Sequence, residues 1–414
     1  SFIMRIFKHI HKPVCWTIAT IIIFSILAPS SLYAQREIQT INDSWKFRKG
    51  ECTAALDSTF KDDEWEDIHL PHTWNTDAYT EKDYYRGTGW YRRQIILPQD
   101  WIGKQVFLKL DAASKATCIY INGKKVGEHT GGYTASTLNI TPFLSFNSPN
   151  MLVIRVDNAR MDIPPISGDF TFFGGIYRDA WLIAVPSQHF NLTNHGSDGI
   201  FITTPRVSEQ QATLSIHGEI KNDAREKAAL ELVHSIYHPD GTLLQTQKQF
   251  IQLKAGETRN FDSNISPILQ PLLWTPETPY LYRVETTLFN CKTKSIVDQS
   301  NHHTGFRWFH FESNKGFYLN GKPYKLRGIC RHQDQKPIGV ALTDEMHRRD
   351  MKLMKEMGAN FIRISHYPQD DAIIEMCDKL GMLAWEEIPV IDIVPDTPGY
   401  GDNCCLLYTS PSPR

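Results

Sequence analysis

Apolar and polar residues alternate along most of this chain, and the period of that alternation changes near residue 306. From about 37 to 186 every second position is apolar in short runs: RRQIILP (92–98), QVFLKLD (105–111), TCIYING (117–123), NMLVIRVDN (150–158) and DAWLIAV (179–185). A period of two puts the apolar side chains on one face of a strand. Asn122-Gly123, between CIYI and KKVGEH, is a two-residue hairpin signal, because both turn positions need φ > 0. Many short strands parted by turn residues predict a jelly-roll β-sandwich over 37–186. A second alternating stretch, 187–305, contains ATLSIHGEIKN (212–222), ALELVHSIYHPDG (229–241) and LWTPETPYLYRVETTL (273–288), with Asp240-Gly241 closing a turn. Its length suits an immunoglobulin-like β-sandwich. Little in it suggests chemistry, and a spacer is the expectation.

Beyond 306, GFYLNGKPYKLRG carries another Asn-Gly turn at 320–321, and strand and helix then take turns. YKLRGICRH, ANFIRIS and MLAWEEIP read as strands. TDEMHRRDMKLMKEMG reads as a helix with Thr343 as N-cap, acids in its first turn and Gly358 as its stop, and Met346, Leu353, Met354 and Met357 are expected to line its buried face. DDAIIEMCDKLG reads as a second helix, with Ile373, Cys377 and Leu380 on one side and Gly381 as its stop. Successive β-α-β units with near-continuous apolar strands imply parallel pairing. The fold class is multidomain, β then α/β. A (β/α)8 barrel and a doubly wound sheet both fit the last part, and the absence of a Gly-rich phosphate loop leaves dinucleotide binding unsupported.

The two ends read differently. Residues 4–34 have the form of a secretory signal peptide: Arg5, Lys8 and Lys12, then an apolar stretch from Trp16 to Leu27 too short for a comfortable membrane span, then a cut after Ala34. The mature protein is expected to be secreted or periplasmic, without membrane attachment; no lipobox leads into Cys15. At the other end CLLYTSPSPR (405–414) follows abruptly and is similar to the translation of a transposase sequencing adapter, so the natural part of this sequence is expected to end at or just before Cys404, with the gene cut short there. A net charge of −2 gives no pull towards nucleic acid. The eight cysteines show no CxxC or metal-finger spacing, and no disulfide framework is expected. Trp45, Trp65, Trp74, Trp90 and Trp101 crowd the first quarter; aromatic faces stack on sugars, but most of these five read as sandwich core.

In a parallel barrel the functional side chains stand at the C-terminal strand ends. Those ends hold Arg331, His332 and Asp334; then Asn360 and Arg363 leading into Ser365, His366 and Tyr367; then Glu386, Glu387 and Pro389. Two histidines at successive strand ends point to a pocket, and no HxH or HExxH spacing supports a metal. Glu386 and Glu387 are neighbours on one strand, so their side chains leave on opposite faces. Two carboxyls that flank one glycosidic bond in a retaining mechanism stand about 5 Å apart. This pair cannot do that.

LRGICRHQD together with MKEMGANFIRISHYP resembles the barrel start of glycoside hydrolase family 2, which includes β-galactosidases, β-glucuronidases and β-mannosidases. LPHTWN (70–75), YYRGTGWYRR (84–93) and GDFTFFGGIYRD (168–179) are similar to that family's sugar-binding jelly roll, and LWTPETPYLY to its immunoglobulin-like domain. The resemblance covers about 37 to 404. It implies a jelly-roll sugar-binding domain (37–186), an immunoglobulin-like sandwich (187–305) and the first part of a truncated (β/α)8, or TIM-barrel, catalytic domain (306–404) of a retaining exo-β-glycosidase. His332 and His366 match histidines that hydrogen-bond the sugar and steady the transition state, and Asp169 matches a first-domain carboxylate that contacts the terminal sugar. Asp334, Arg363, Asn360 and Glu387 are expected to serve the substrate pocket. The acid/base glutamate would end the fourth strand and the nucleophile the seventh, both beyond Cys404, so residues 35–404 alone are expected to be inactive. Cys330 stands where many relatives have Asn. The third strand end lacks the Glu-x-His that holds magnesium in some β-galactosidases, and no metal or other cofactor is expected. β-Galactosidase is the first substrate reading, from GDFTFFGGIYRD. The alternatives are β-glucuronidase, which would need carboxylate-recognising residues such as an Asn/Lys set in later barrel loops, and a non-catalytic carbohydrate-binding protein. Carbohydrate is the expected partner; monomer and homo-oligomer are both open.

Overall fold

A computed structural model describes residues 36–392. The leader, the segment from 393 and the tail at 405–414 lie outside the described residues, as do Cys15, Cys404 and Cys405. The alternating runs of the first domain form two antiparallel sheets. One has the order Glu66–Ile68, Trp45–Lys49, Thr88–Ile95, Asn150–Asp157, Ala116–Ile121, Lys124–Thr130; the other is Glu37–Thr40, Ala180–Val185, Gln105–Leu110, Ser136–Asn139. Their inner faces share one core, with Trp45, Tyr91, Leu108, Ile119, Ile154 and Leu182 all buried. All five early tryptophans are buried, which makes them structure rather than sugar platforms. Asn122 and Gly123 turn the hairpin with φ of 51° and 77°, as the dipeptide requires.

The second domain is also a sandwich. Gln188–Phe190, β1 (Ile200–Thr203), β2 (Gln211–Asn222) and β3 (Thr258–Leu269) make one sheet; Leu243–Leu253, Ala228–Tyr237, Tyr282–Asn290 and Ile296–Thr304 make the other. Burial along β2 alternates strictly, so one face packs on Leu232 and Val284 of the opposite sheet and the other is left for solvent. Pro276 and Pro279 sit just ahead of the strand that begins at Tyr282, where a missing N–H costs no ladder bond.

The third part starts with a small hairpin that turns at Asn320 and Gly321, with φ of 50° and 76°. The chain then runs through β4 (Gly328–Arg331), α1 (Asp344–Glu356), β5 (Phe361–Ile364), α2 (Asp371–Leu380) and β6 (Leu383–Glu386). The three strands are parallel and adjacent in chain order, with Ile329 beside Ile362 and Ile362 beside Ala384. This is the beginning of a TIM barrel rather than a doubly wound sheet. Helix α2 has the expected face, with Ile373 and Cys377 buried and Leu380 partly so. Asp370 caps it by accepting from Ala372 N at 2.9 Å, and Gly381 ends it at φ 72°. Helix α1 departs from expectation. Leu353 and Met357 are 47% and 78% exposed, while His347 and Met351 are the buried residues. The cause is polar: Arg331 at the end of β4 donates to His347 Nδ1 at 3.0 Å and to Asp350 Oδ2 at 2.7 Å, turning that side of α1 inward. Thr343 stands at the N-cap position, but its side chain makes no capping bond.

Candidate active site

The parallel register brings the ends of β4, β5 and β6 to one edge, and the residues after each strand face the first domain. Across that seam Arg178 donates to Gln333 Oε1 at 3.1 Å and to the Pro368 carbonyl at 2.9 Å. Tyr133 stacks on Tyr367 with ring centroids 4.3 Å apart. The jelly roll thus covers the strand ends, and a loop from it reaches over them.

That loop is GDFTFFGG. Phe170 places its ring 5.7 Å from His332, 6.1 Å from His366 and 5.3 Å from Tyr367, centroid to centroid. The two histidine rings lie 5.6 Å from each other. Asp169, next to Phe170, is exposed, and its charge acts on His332. Burial pushes the His332 imidazole below its usual range; Asp334 and Asp169 oppose the shift, and His366 and Arg331 add to it. Its Nδ1 meets the Tyr367 hydroxyl at 3.0 Å. A neutral imidazole so held can donate or accept towards a hydroxyl-rich ligand.

Glu387 joins two strand ends. Its Oε1 accepts from Arg363 Nε at 2.6 Å and its Oε2 from His366 Nδ1 at 3.0 Å. Burial works to raise this carboxyl, but the bonds from Arg363 and His366 outweigh it and hold the group below the usual carboxylate range. Glu386, the preceding residue, is exposed on the other face of β6. Asp334 accepts from the Tyr79 hydroxyl at 2.8 Å, a further tie to the first domain. Cys330 Sγ lies 2.7 Å from Ser365 Oγ, in the wall between β4 and β5.

Asn360 is not with the others. It precedes β5, at the N-terminal end of the strand, and is buried. Its amide donates to Tyr324 and the Lys325 carbonyl and accepts from Arg327 N at 2.7 Å. Every polar atom of the side chain is spent on the chain, so Asn360 is corrected to a structural position at the far end of the strand. The structure adds Phe170, Tyr79, Tyr133 and Tyr367 to the site. Tyr367 stood in the SHYP motif, and Phe170 followed Asp169 in a glycine-flanked loop. Tyr79 and Tyr133 carry no local signal.

Comparison with known proteins agrees with this architecture. Residues 34–186 match the family model described as glycosyl hydrolases family 2, sugar binding domain; 198–307 match glycosyl hydrolases family 2; and 312–398 match its TIM barrel domain. Among solved structures, Bacteroides uniformis β-glucuronidase 2, covalently bound to cyclophellitol-6-carboxylate aziridine, is 76% identical with a TM-score of 0.90, covering 91% of this chain and 45% of that one. A calcium binding mutant of the same enzyme is 77% identical with a TM-score of 0.86, covering 89% of this chain and 44% of that one. A β-glucuronidase of Bacteroides fragilis is 35% identical over 89% of this chain and 52% of its own length. A β-galactosidase, BoGH2A of Bacteroides ovatus, is 30% identical over 86% of this chain and 42% of its own. The chain spans about half the length of the curated relatives it matches. With three domains in the family's order, each matched by a model of that family, the chain belongs to glycosyl hydrolase family 2.

Proposed function

We propose that the whole protein is a retaining exo-β-glycosidase whose substrate is a terminal β-glucuronide. The observation that carries this reading is the convergence of His332, His366 and Glu387 beneath Phe170 at the strand ends, with the charge of Asp169 on the same loop reaching His332. Such a site offers donors, acceptors and an aromatic face to one sugar ring closed in by the first domain. Bonds of this kind that tighten in an oxocarbenium-like transition state lower the barrier. The β-galactosidase reading gives way to its alternative because the B. uniformis relative, at 76% identity, is a β-glucuronidase, while the B. ovatus β-galactosidase stands at 30%. A covalent adduct bearing a 6-carboxylate in that relative supports both a retaining mechanism and a uronic acid. The test is kcat/KM of the full-length protein on p-nitrophenyl β-glucuronide and β-galactoside. The expected preference for the glucuronide is at least 100-fold, and preference for the galactoside would overturn the choice of sugar.

We also infer calcium binding at the starts of α1 and α2. The B. uniformis mutant lacks two aspartates 26 positions apart. Asp344 and Asp370 have the same spacing and, counted from Met4, the same positions. Burial and then Asp370 raise the Asp344 carboxyl, and the raised state persists although Arg348 donates to it at 2.8 Å and works against the shift. Asp179 is pushed up to about 6 by burial, with Asp111, Asp344 and Asp370 adding to it and a bond from Asn42 opposing it. This is the negative field a hard cation relieves. Among the described residues no three such side chains already converge on one point, so carbonyl oxygens and water would complete the set. The ion would tie the two helix starts together.

A further inference from the structure

The immunoglobulin-like domain carries a cleft that a spacer does not need. On β2 the side chains facing away from the core include His217 and Glu219. Phe201 of β1 stands opposite His217 on one side and Asp262 of β3 on the other, and Asn260 stands opposite Glu219. Residues directly opposite share a face, so Phe201 points away from the core, yet it is only 8% exposed. The His217 ring lies nearly flat on it, at 5.4 Å and 20°. The segment before β1 folds back as a wall. Asn191 Nδ2 donates to Glu219 Oε2 at 2.6 Å, and Ser197 Oγ donates to the Asn194 carbonyl at 2.7 Å. Gly196, at φ 67°, sits so close to the first domain that a Cβ there would come within 2.7 Å of the Ala135 carbonyl oxygen. The wall is therefore braced from behind. Between it and the sheet is a cleft of about 270 Å³.

Its lining selects a chemical class. Asp262 and Glu219 accept, Asn194 and Asn260 donate and accept, and His195 and His217 do either. No lysine or arginine lines it, so a uronate or phosphate would meet two carboxylates with no cation to offset them. A neutral sugar ring meets these conditions: its C–H face suits the His217 ring that Phe201 backs, and its hydroxyls suit carboxylates and amides. The volume is near the lower end for small-molecule sites, about 300 Å³, which fits one ring with the rest of a chain left in solvent. We propose that this cleft binds a neutral pyranose unit of a polysaccharide, apart from the strand-end site and independent of the activity assigned to it.

The experiment is saturation-transfer NMR on the intact protein with methyl β-galactoside, methyl β-glucoside, methyl β-xyloside and methyl β-glucuronide. Asp262→Ala and Asn260→Ala are compared with the parent, and an unchanged thermal melt serves as the folding control. At least one neutral glycoside is expected to saturate in the parent, and its affinity to fall 10-fold or more in Asp262→Ala while the glucuronide response stays the same. The proposal is overturned if no neutral glycoside saturates, or if the neutral signal survives both variants. Joint loss of the neutral and glucuronide signals would also overturn it, since a single site would then account for both.

Discussion

At the scale of single residues, Glu387 is where the ends of β5 and β6 are joined. Arg363 and His366 both donate to it, so its charge fixes the ring orientation of His366 and holds a guanidinium that would otherwise swing into solvent. Hydrogen bonds to charged groups are worth about 1.5–3 kcal/mol. Glu387→Gln keeps the shape, replaces one acceptor with a donor and removes the charge. In the full-length protein it should lower kcat/KM on an aryl β-glucuronide by about 10- to 100-fold, with a smaller fall in melting temperature, since glutamine keeps an acceptor for Arg363, whose side chain is 46% exposed. Phe170→Ala acts differently, since the ring touches both histidines without bonding either. It should raise KM more than it lowers kcat. Steady-state kinetics of the two variants separates these roles, and equal effects on KM and kcat in both would count against them.

At the scale of elements, the loop bearing Asp169 and Phe170 is held from below. Lys115 Nζ donates to the carbonyls of Ile163 and Pro165 at 2.7 and 3.1 Å, Asn158 donates to the Phe172 carbonyl at 3.0 Å, and Arg86 lies over the Phe172 ring at 4.7 Å. Strand and hairpin positions were legible in the chain because they rest on local rules, such as the φ > 0 demands of Asn122-Gly123 and the alternation of β2. His332, His366 and Glu387 were legible as strand ends. Tyr79 and Tyr133 were not, because only the docking of one domain on another places them there. The face of α1 was misread for a related reason: an apolar count cannot anticipate that Arg331 draws His347 and Asp350 inward. The same helix supplies the calcium prediction. Stripping calcium with EGTA should lower the melting temperature by several degrees, and Asp344→Ala should abolish the difference between stripped and calcium-loaded protein. Asp344 is the cleaner choice, because Asp370 also caps α2, a role worth about 1 kcal/mol by itself. An unchanged melt on adding EGTA would remove calcium from the account.

At the scale of the whole molecule, stability should depend on pH through histidines kept neutral in separate domains. His234 lies between the two sheets of the second domain, within 3.0 Å of both Thr286 Oγ1 and Ser263 Oγ, and burial pushes it down to about 4. His72 in the first domain is also pushed down to about 4, by burial with a smaller push from Lys49. His347 falls to about 3, from burial first and then Arg331 and Arg178. Because these folded values lie below the unfolded one of about 6.5, the unfolded chain takes up protons first as pH falls. The contribution is fully present above about 6.5 and is lost on the way down to about 4 or 3. At its steepest each group contributes about 1.4 kcal/mol per pH unit. Asp179 opposes them, since its carboxyl sits at about 6 when folded and so favours the folded state as pH falls through that value. The ion-paired Asp198, held down to about 2 by His302 and Ser300 against its burial, acts only below about 4. Asp344, also raised, acts in the same sense as Asp179, but between pH 6.5 and 4.5 the three strongly depressed histidines outweigh these two aspartates, and the melting temperature should fall as the solution is acidified. His234→Gln should cost stability at pH 7.5, because glutamine cannot reproduce both bonds, yet its melting temperature should drop less than the parent's between pH 6.5 and 4.5. Calorimetric melts of parent and variant at those two pH values make the test, and parallel lines would rule out His234 as one of the titrating groups.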